Sequence, residues 1–195
     1  PVASTARAHR RPRGVEDGPR KIRVGVMGAT REDKGYGVLP GLISLADYSN
    51  FPVEWRSQFD KVQARGFREK PFMQADIDRL EQDPNVTIRS GFATQDEYYR
   101  AFAGLDVVLL PYSDRYQSSS SGIIIEAIEL NVLPVVPRGS TMEQIAKVAN
   151  APHIVIDEVS AEAIFAALKQ YFIDAEDLLA MWETSDLSAY YVETP

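Results

Sequence analysis

The sequence contains no cysteine, and this absence excludes three kinds of chemistry. A chain without thiols cannot form a disulfide framework, hold a metal ion through thiolates or use a cysteine nucleophile. Histidine is also scarce: His9 lies in a basic segment near the start of the chain, and His153 begins an apolar stretch. No histidines and carboxylates are spaced as metal ligands usually are, so we expect no metal ion held by the protein.

Long apolar runs are missing as well, and the charges are unevenly distributed. No stretch reaches the roughly 18 apolar residues of a membrane-spanning helix. Hydrophobic residues nevertheless make up 45% of the 195 residues, enough for one sizeable core. Of the net charge of −7, residues 1–21 contribute +4, so the rest of the chain carries −11. Such an acidic body argues against a broad nucleic-acid surface, and we expect no nucleic-acid partner.

Composition divides the chain into three parts. Residues 1–20 are basic, rich in Arg, Pro and Gly, and lack apolar periodicity, which is typical of a solvated linker. Residues 21–173 carry the alternating pattern of a folded domain. Residues 174–195 are predicted to form one more helix and a tail, whose aromatic side chains would dock on another surface. Because the sequence begins with Pro1 rather than methionine, we interpret the chain as one part of a longer protein.

Short apolar segments alternate with helical segments throughout the middle part. The predicted strands are residues 22–28, 53–59, 86–89, 106–111, 133–136 and 153–156. The predicted helices are residues 36–48, 71–82, 95–103, 120–131, 142–150 and 161–172, with a loop at residues 61–70. This alternation predicts right-handed βαβ units in an α/β fold, a Rossmann-like doubly wound parallel sheet of about six strands in the order 3-2-1-4-5-6.

The loop of residues 28–35 follows the first predicted strand. In an open parallel sheet, ligands bind beyond the carboxyl ends of the strands, where this loop would lie. Gly28 permits a tight turn, and the cations of Arg31 and Lys34, with N–H groups of the next helix, could hold a diphosphate. The loop matches neither the P-loop nor the dinucleotide-binding fingerprint. The alternative is an ordinary charged surface loop.

A serine-rich loop follows the most apolar predicted strand. Its candidate ligand-binding residues are Tyr116, Ser118, Ser119, Ser120, Ser121 and Gly122. Hydroxyls and backbone N–H groups at the start of the next helix would converge on one point, which is an anion site by geometry and by helix dipole. Glu126 lies one turn further along the same face, where its carboxylate could accept hydrogen bonds from a ribose. The alternative is that one serine caps the helix and Glu126 is solvated.

A third loop, residues 91–97, follows the third predicted strand. Phe92 could face a nucleobase there, with backbone groups reading the edge of the base. The alternative is that Phe92 belongs to the core and that Thr94 caps the next helix, with Glu97 completing a capping box. Residues 140–143 fit a second capping box of the same kind.

These loops, in this order, resemble the C-terminal, donor-binding domain of retaining GT-B glycosyltransferases of the family 4-like group, also described as group 1. The resemblance covers roughly residues 22–172. The matching segments are the glycine- and lysine-containing stretch 28–35, the stretch 85–98 with its Gly91-Phe92 pair, the strand 103–111 and the helix–strand unit 122–136. The resemblance implies one half of a GT-B fold.

The resemblance also implies roles for individual residues. Glu126 would bind the ribose, Lys34 the diphosphate, and Gly122 with its neighbours the phosphates of a nucleotide-sugar donor. Lys34, Arg31 and Glu126 are the implied catalytic residues, with no cofactor and no metal ion held by the protein. The leaving diphosphate gains charge as the sugar–phosphate bond breaks, and cations at this position would stabilise that charge.

For the whole enzyme, the resemblance implies a hexosyltransferase of polysaccharide biosynthesis. Its acceptor site would lie on a separate N-terminal domain, so that this chain alone is inactive. Residues 1–20 would then belong to the interdomain linker, and residues 174–195 would cross back to the other domain. The implied location is cytoplasmic, with peripheral association of the parent enzyme with the inner face of the membrane as one option.

Two positions depart from the family pattern and keep other functions open. Ala29 stands where the family often has arginine, and Ser118 stands where it has the first of two paired glutamates. These departures favour, as an alternative, a nucleotide- or sugar-binding module that has lost turnover. A flavodoxin-like regulatory domain is a further alternative, but the acidic triad of a phospho-receiver is absent near the first predicted strand.

Overall fold

The computed structural model describes residues 21–68, 72–113, 119 and 121–173, which fold around a six-stranded sheet. The strands are β1 (Ile22–Gly25), β2 (Val53–Gln58), β3 (Val86–Arg89), β4 (Val107–Leu109), β5 (Leu133–Pro137) and β6 (Ile154–Ile156). Their order is β3-β2-β1-β4-β5-β6, and every neighbouring pair is parallel. The predicted fold class and strand order are confirmed. The predictions for residues 1–20 and 174–195 lie outside the described residues.

Seven α-helices flank the sheet in the part of the chain that the structure describes. They are α1 (Leu39–Tyr48), α2 (Lys61–Arg65), α3 (Gln74–Gln82), α4 (Gln95–Ala103), α5 (Gly122–Leu130), α6 (Thr141–Val148) and α7 (Ala161–Ile173). Because the chain moves outward from β1 to β3 and then restarts at β4 in the opposite direction, right-handed crossovers place helices on both faces. Helix α7 packs against α1, whereas α5 packs between α4 and α6. None of these helices is long and apolar enough to cross a membrane.

The predicted loop at residues 61–70 is wrong in its first half, which forms the short helix α2. Asp60 precedes this helix, and its carboxylate accepts hydrogen bonds from Val62 N at 2.8 Å and Gln63 N at 3.0 Å. Aspartate is a favoured N-cap residue because it satisfies N–H groups that the first helical turn leaves without a partner. The helix therefore starts on a local signal that is present in the sequence.

Several predicted boundaries move by a few residues. Helix α1 is preceded by a 3₁₀ turn at Tyr36–Val38, α3 begins only at Gln74, and α5 begins at Gly122. Strand β1 is shorter than predicted, since the backbone N–H that follows it, of Val26, donates to the Ser57 hydroxyl at 3.1 Å. These differences leave the order of the elements unchanged.

Both predicted capping boxes form, with one change in the reciprocal bond. The Thr94 hydroxyl accepts a hydrogen bond from Glu97 N at 3.2 Å, and the Glu97 carboxylate accepts one from Ala93 N at 3.0 Å. Ser140 and Glu143 repeat this arrangement at the start of α6. In each case the carboxylate reaches the backbone amide one residue before the N-cap, so the box is one residue wider than predicted.

The sheet is unevenly covered. The central strands β1, β4 and β5 are buried along their whole length, whereas β2 alternates between buried and half-buried residues. Strand β3, at the edge, exposes Thr87 and Arg89. On β2, Arg56 pairs with Glu54 at 2.8 Å, and Arg56 lies beside Thr87 in the register of the two strands. Strands β2 and β3 therefore present a polar strip beside α4.

One largely buried ion pair ties the two central strands together where they begin. Arg23 Nε and Nη2 donate to the two carboxylate oxygens of Asp106, each at 3.0 Å, and the Arg23 backbone N–H donates to the same carboxylate at 2.9 Å. A bidentate pair of this kind is both strong and geometrically specific. It fixes β4 against β1 and thereby aligns the two loops that leave the carboxyl ends of these strands.

Candidate functional site

The loop after β1 is fixed by hydrogen bonds on both sides of Gly28. Gly28 has a φ of 91°, a conformation that favours glycine. Its N–H donates to Gln58 Oε1 at 3.1 Å, and its carbonyl oxygen accepts a hydrogen bond from the buried Tyr36 hydroxyl at 2.9 Å. The turn is therefore held both by the end of β2 and by the helical segment that follows it.

A second glycine, Gly35, lets this loop lie directly on the end of β4. Gly35 has a φ of 71°, and a Cβ at this position would lie 1.8 Å from the carbonyl oxygen of Pro111. No other residue can approach the Pro111 backbone so closely without moving the loop. The contact brings Lys34, the preceding residue, to the carboxyl edge of the sheet between β1 and β4.

Lys34 is a buried cation at this edge. The residue is only 8% exposed, and its Nζ lies 3.2 Å from the position that a Cβ on Gly28 would occupy. The same ammonium lies 5.7 Å from the ring centroid of Tyr112. Burial, and then the charge of the nearby Arg31, lower the pKa of Lys34. An ammonium group that is so poorly hydrated interacts more strongly with an anion than an exposed one does.

Arg31 differs from Lys34 in both exposure and pairing. Its side chain is 53% exposed, and its guanidinium group forms an ion pair with the carboxylate of Asp33. Arg31 is nevertheless close enough to Lys34 to affect the pKa of Lys34. The structure thus places Arg31 at the rim of the site, and its participation in diphosphate binding stays a prediction.

Glu126 lies on the first turns of α5 and faces α4. Its Oε2 accepts a hydrogen bond of 2.6 Å from the Tyr98 hydroxyl. Burial raises the pKa of Glu126, while the bond from Tyr98 and the charge of Lys34 oppose that shift. Glu126 and Lys34 are therefore electrostatically coupled across the edge of the sheet, although they lie far apart in the sequence.

The amino terminus of α5 adjoins the same position. Ser121 is the N-cap residue, but its side chain accepts no hydrogen bond from the helix. Its hydroxyl instead lies 3.0 Å from that of the buried Tyr112. Gly122 is exposed, and a Cβ there would meet no described atom within 4 Å. The Ser121 hydroxyl therefore does not cap this helix, and the choice between an anion site and a serine cap stays a prediction.

Phe92 has features of both predicted roles, a core residue and a residue that faces a ligand. It is half-buried and packs edge-on against Tyr98, with the ring centroids 5.5 Å apart and the ring planes at 77°. It also lines a groove of about 430 Å³ between α4 and the polar strip of β2 and β3. The other lining residues are Met27, Glu54, Arg56, Ser57, Thr87, Arg89, Glu97, Arg100 and Ala101. Phe92 thus contacts the core on one side and an open groove on the other.

Not every residue that the sequence singles out can be placed. Tyr116, Ser118 and Ser120 lie outside the described residues, and Ser119 is exposed. Among the described residues, no group of three or more acidic or histidine side chains could hold a metal ion. The structure does bring Gly28, Lys34, Ser121, Gly122 and Glu126 to one edge of the sheet.

Sequence reasoning missed the tyrosines that hold these residues in place. Tyr36 holds Gly28, Tyr112 contacts Ser121, and Tyr98 holds Glu126. The signal for Tyr112 was available, because Tyr112 comes three residues after the strongly apolar strand β4 and therefore at the edge where ligands bind. The hydrogen bond between Tyr98 and Glu126 spans 28 residues and has no local signal.

A scan against protein-family models and a search of curated proteins found no match. Solved structures with the same fold were found. The C-terminal domain of LpcC, a group 1 family glycosyl transferase from Francisella tularensis, gives a TM-score of 0.61 at 14% identity over 90% of this chain and 87% of that domain. HepE from Anabaena, in complex with UDP and glucose, gives 0.62 at 12% identity over 90% of this chain and 49% of HepE.

The fold is not confined to transferases. A Listeria monocytogenes protein described as a UDP-N-acetylglucosamine 2-epimerase gives a TM-score of 0.62 at 11% identity, over 95% of this chain and 47% of its own. The chain thus spans about half the length of HepE and of the Listeria protein, and most of the LpcC domain. At these identities the likeness concerns the fold, and chemistry has to be argued from the site.

Proposed function

The chain has the fold of the C-terminal domain of GT-B glycosyltransferases, as its sequence predicts, and from this premise we propose that it binds the nucleoside diphosphate of a nucleotide-sugar donor. The observation that carries the proposal is the position of Lys34. This buried ammonium group lies against Gly28 and is coupled to Glu126, at the carboxyl edge of a parallel sheet. A cation there supplies the charge that a diphosphate requires.

Each part of the donor's nucleoside diphosphate has a proposed counterpart near this edge. Lys34 and the N-terminus of α5 bind the diphosphate, since both are electropositive and lie beside the turn at Gly28. Glu126 accepts hydrogen bonds from the ribose hydroxyls, and the groove lined by Phe92 receives the base. The serines before Gly122 contribute hydroxyl groups to the phosphates. This assignment is supported by the HepE structures, which contain UDP with glucose and UDP-glucose.

In the transfer step, the bond between the sugar and the β-phosphate breaks and the diphosphate gains negative charge. Lys34 and the start of α5 stabilise that charge, because their dipoles and charges are already oriented before the reaction. Arg31 contributes at the rim if it leaves Asp33 when the donor binds. The whole protein would be a hexosyltransferase of polysaccharide synthesis, acting in the cytoplasm or at the inner face of the membrane.

The acceptor belongs to a second domain in this proposal. Closure of the two domains would exclude water and complete the site, so the 195-residue chain binds the donor but does not transfer its sugar.

A second candidate function is nucleotide-sugar binding without turnover. It is favoured by Ala29 at the position where the family often has arginine, and by the ion pair that Arg31 forms with Asp33. In this loop Lys34 is then the single buried cation. Assays of sugar transfer and of donor hydrolysis on the two-domain parent protein distinguish the two functions, because only a transferase or a hydrolase turns the donor over.

The test of donor binding uses the 195-residue chain and four nucleoside diphosphates, UDP, ADP, GDP and CDP, in titration calorimetry. We expect at least one of them to bind, and we expect Lys34→Met and Glu126→Gln each to weaken that binding by about tenfold or more. Matched controls are Lys169→Met and Glu162→Gln, which make the same chemical changes at exposed positions on α7. Absence of binding to all four nucleotides, or equal losses in the controls, would refute the proposal.

A further inference from the structure

The hydroxyl of Tyr98 holds one of the two oxygens of the Glu126 carboxylate. It donates to Oε2 at 2.6 Å, from the middle of α4 to the first turns of α5. Among the described residues, the other oxygen, Oε1, accepts no hydrogen bond. The carboxylate therefore has one oxygen fixed by the protein and one that remains available to a ligand.

The ring of Tyr98 is itself held by other aromatic side chains. It packs edge-on against Phe92 at 5.5 Å, Tyr99 at 5.4 Å and Phe102 at 5.9 Å, measured between ring centroids. Such contacts contribute beyond simple burial and allow little rotation of the ring. The phenol group is consequently a fixed donor, and it restricts a glutamate that would otherwise sample several rotamers.

Tyr98 also links two parts of the site. Its ring contacts Phe92, which lines the groove between α4 and the polar strip of β2 and β3, and its hydroxyl contacts Glu126. Tyr98 therefore connects the side chain that lines the groove with the carboxylate that is proposed to bind the ribose.

We propose that Tyr98 is a positioning residue for ribose recognition: it orients Glu126 so that Oε1 faces the ribose hydroxyls of a nucleotide whose base lies beside Phe92. The inference rests on the proposed function, since it assigns the ribose to Glu126. In a purely structural role, Tyr98 would only contribute to the packing of α4 against α5. Its loss would then change the affinity for all ligands equally.

The decisive variant is Tyr98→Phe, which keeps the ring and its packing and removes only the hydroxyl. The readout is the ratio of two affinities, for the tightest-binding nucleoside diphosphate of the four and for its 2′,3′-dideoxy counterpart. In the unmodified chain we expect the ribose form to bind more tightly. In Tyr98→Phe we expect this preference to fall by about fivefold, with the affinity for the dideoxy form unchanged.

Tyr99→Phe is the matched control. Tyr99 is the next residue on the same helix, is buried, and its hydroxyl accepts a hydrogen bond from the Gln95 amide at 3.3 Å. We expect this variant to keep the preference for ribose. If Tyr98→Phe lowers both affinities alike, or if it leaves the ratio unchanged, the positioning role is wrong while donor binding stands.

Titration of Glu126 gives a second readout that needs no ligand. The groups that affect its charge are Tyr98 and Tyr99 from α4, Glu129 from α5 and Lys34 from the loop after β1. Burial raises the pKa of Glu126, and the bond from Tyr98 opposes this shift. Removing the hydroxyl should therefore raise the pKa of Glu126 further. When the pH is lowered, Tyr98→Phe should lose its remaining preference for ribose at a higher pH than the unmodified chain does.

The pKa of Glu126 can be measured by carboxyl ¹³C NMR in the unmodified chain and in Tyr98→Phe, with Glu126→Gln to assign the signal. An unchanged pKa would show that Tyr98 does not control this carboxylate, whatever the nucleotide data. Failure of the unmodified chain to bind any nucleotide would instead refute the proposed function, and the ribose role of Tyr98 with it.

Discussion

The two cations of the loop after β1 should differ sharply in their contribution to diphosphate binding. Lys34 is buried and is held at the edge of the sheet by Gly35, whereas Arg31 is exposed and pairs with Asp33. Replacing Lys34 by methionine keeps most of the aliphatic chain and removes the charge. Replacing Arg31 by glutamine removes a charge that is already hydrated and paired.

The expected magnitudes follow from these environments. A hydrogen bond between a buried ammonium group and a phosphate contributes about 1.5–3 kcal/mol, which corresponds to about a tenfold to hundredfold loss of affinity in Lys34→Met. An exposed ion pair contributes about 0.2–1 kcal/mol, so Arg31→Gln should weaken binding by less than about fivefold. In the parent enzyme, the loss in Lys34→Met should be larger in the transfer rate than in donor affinity, because the leaving group gains charge.

Calorimetry gives the affinities, and thermal unfolding without nucleotide shows whether the variants fold. Because burial lowers the pKa of Lys34, the charged form is disfavoured in the folded protein, and its removal should leave the melting temperature unchanged or higher. At the same concentration, a nucleotide should then stabilise the unmodified chain more than it stabilises Lys34→Met. If Arg31→Gln is the more damaging change, Arg31 has taken over the role that Ala29 leaves vacant. If neither matters, the diphosphate does not bind at this loop.

Three further predictions test the loop and the chain as a whole. Gly35→Ala should lower the free energy of unfolding in urea by more than about 1 kcal/mol, because Gly35 has a positive φ and a Cβ there would clash with the Pro111 carbonyl oxygen. Gly122→Ala should have little effect, because a Cβ there meets no described atom. Burial lowers the pKa of Lys34, and a bound phosphate should raise it again. At a pH between the pKa values of the free and the bound protein, nucleotide binding should therefore take up protons. Calorimetry in buffers of different ionisation enthalpy measures this proton uptake. The 195-residue chain should turn over no nucleotide sugar, and transfer at a rate near that of the parent protein would contradict the separate acceptor domain.

The fold was predictable because burial in a parallel sheet requires a recognisable apolar pattern in the sequence of its strands. Central strands such as β4 and β5 are buried on both faces and are therefore continuously apolar, which separates them clearly from the amphipathic helices between them. The short helix α2 was missed because five residues are too few to show a helical period. Its N-cap Asp60 was the better signal, and a rule based on caps would have found it.

The relative positions of the candidate site residues were predictable only in part, for a physical reason. Lys34 lies in the segment that follows β1, and Glu126 lies on the helix that follows the adjacent parallel strand β4. The topology therefore brings them to the same edge of the sheet. The hydrogen bond from Tyr98 depends on how α4 lies beside α5, which is decided by side-chain volumes across the whole layer. Local patterns in the sequence carry no information on how closely these two helices pack.

The contrast between two sets of buried charges favours a ligand at this edge over a structural role. Arg23 and Asp106 satisfy each other through a bidentate pair of hydrogen bonds. Lys34 and Glu126 are each shifted by burial toward their neutral forms, and among the described residues Lys34 forms no ion pair. Folding alone would favour replacing such groups by apolar or mutually paired side chains, since a partly compensated buried charge costs stability. In the proposed function, an anionic ligand with hydroxyl groups would compensate both charges, because its phosphates match the ammonium group and its hydroxyls match the carboxylate.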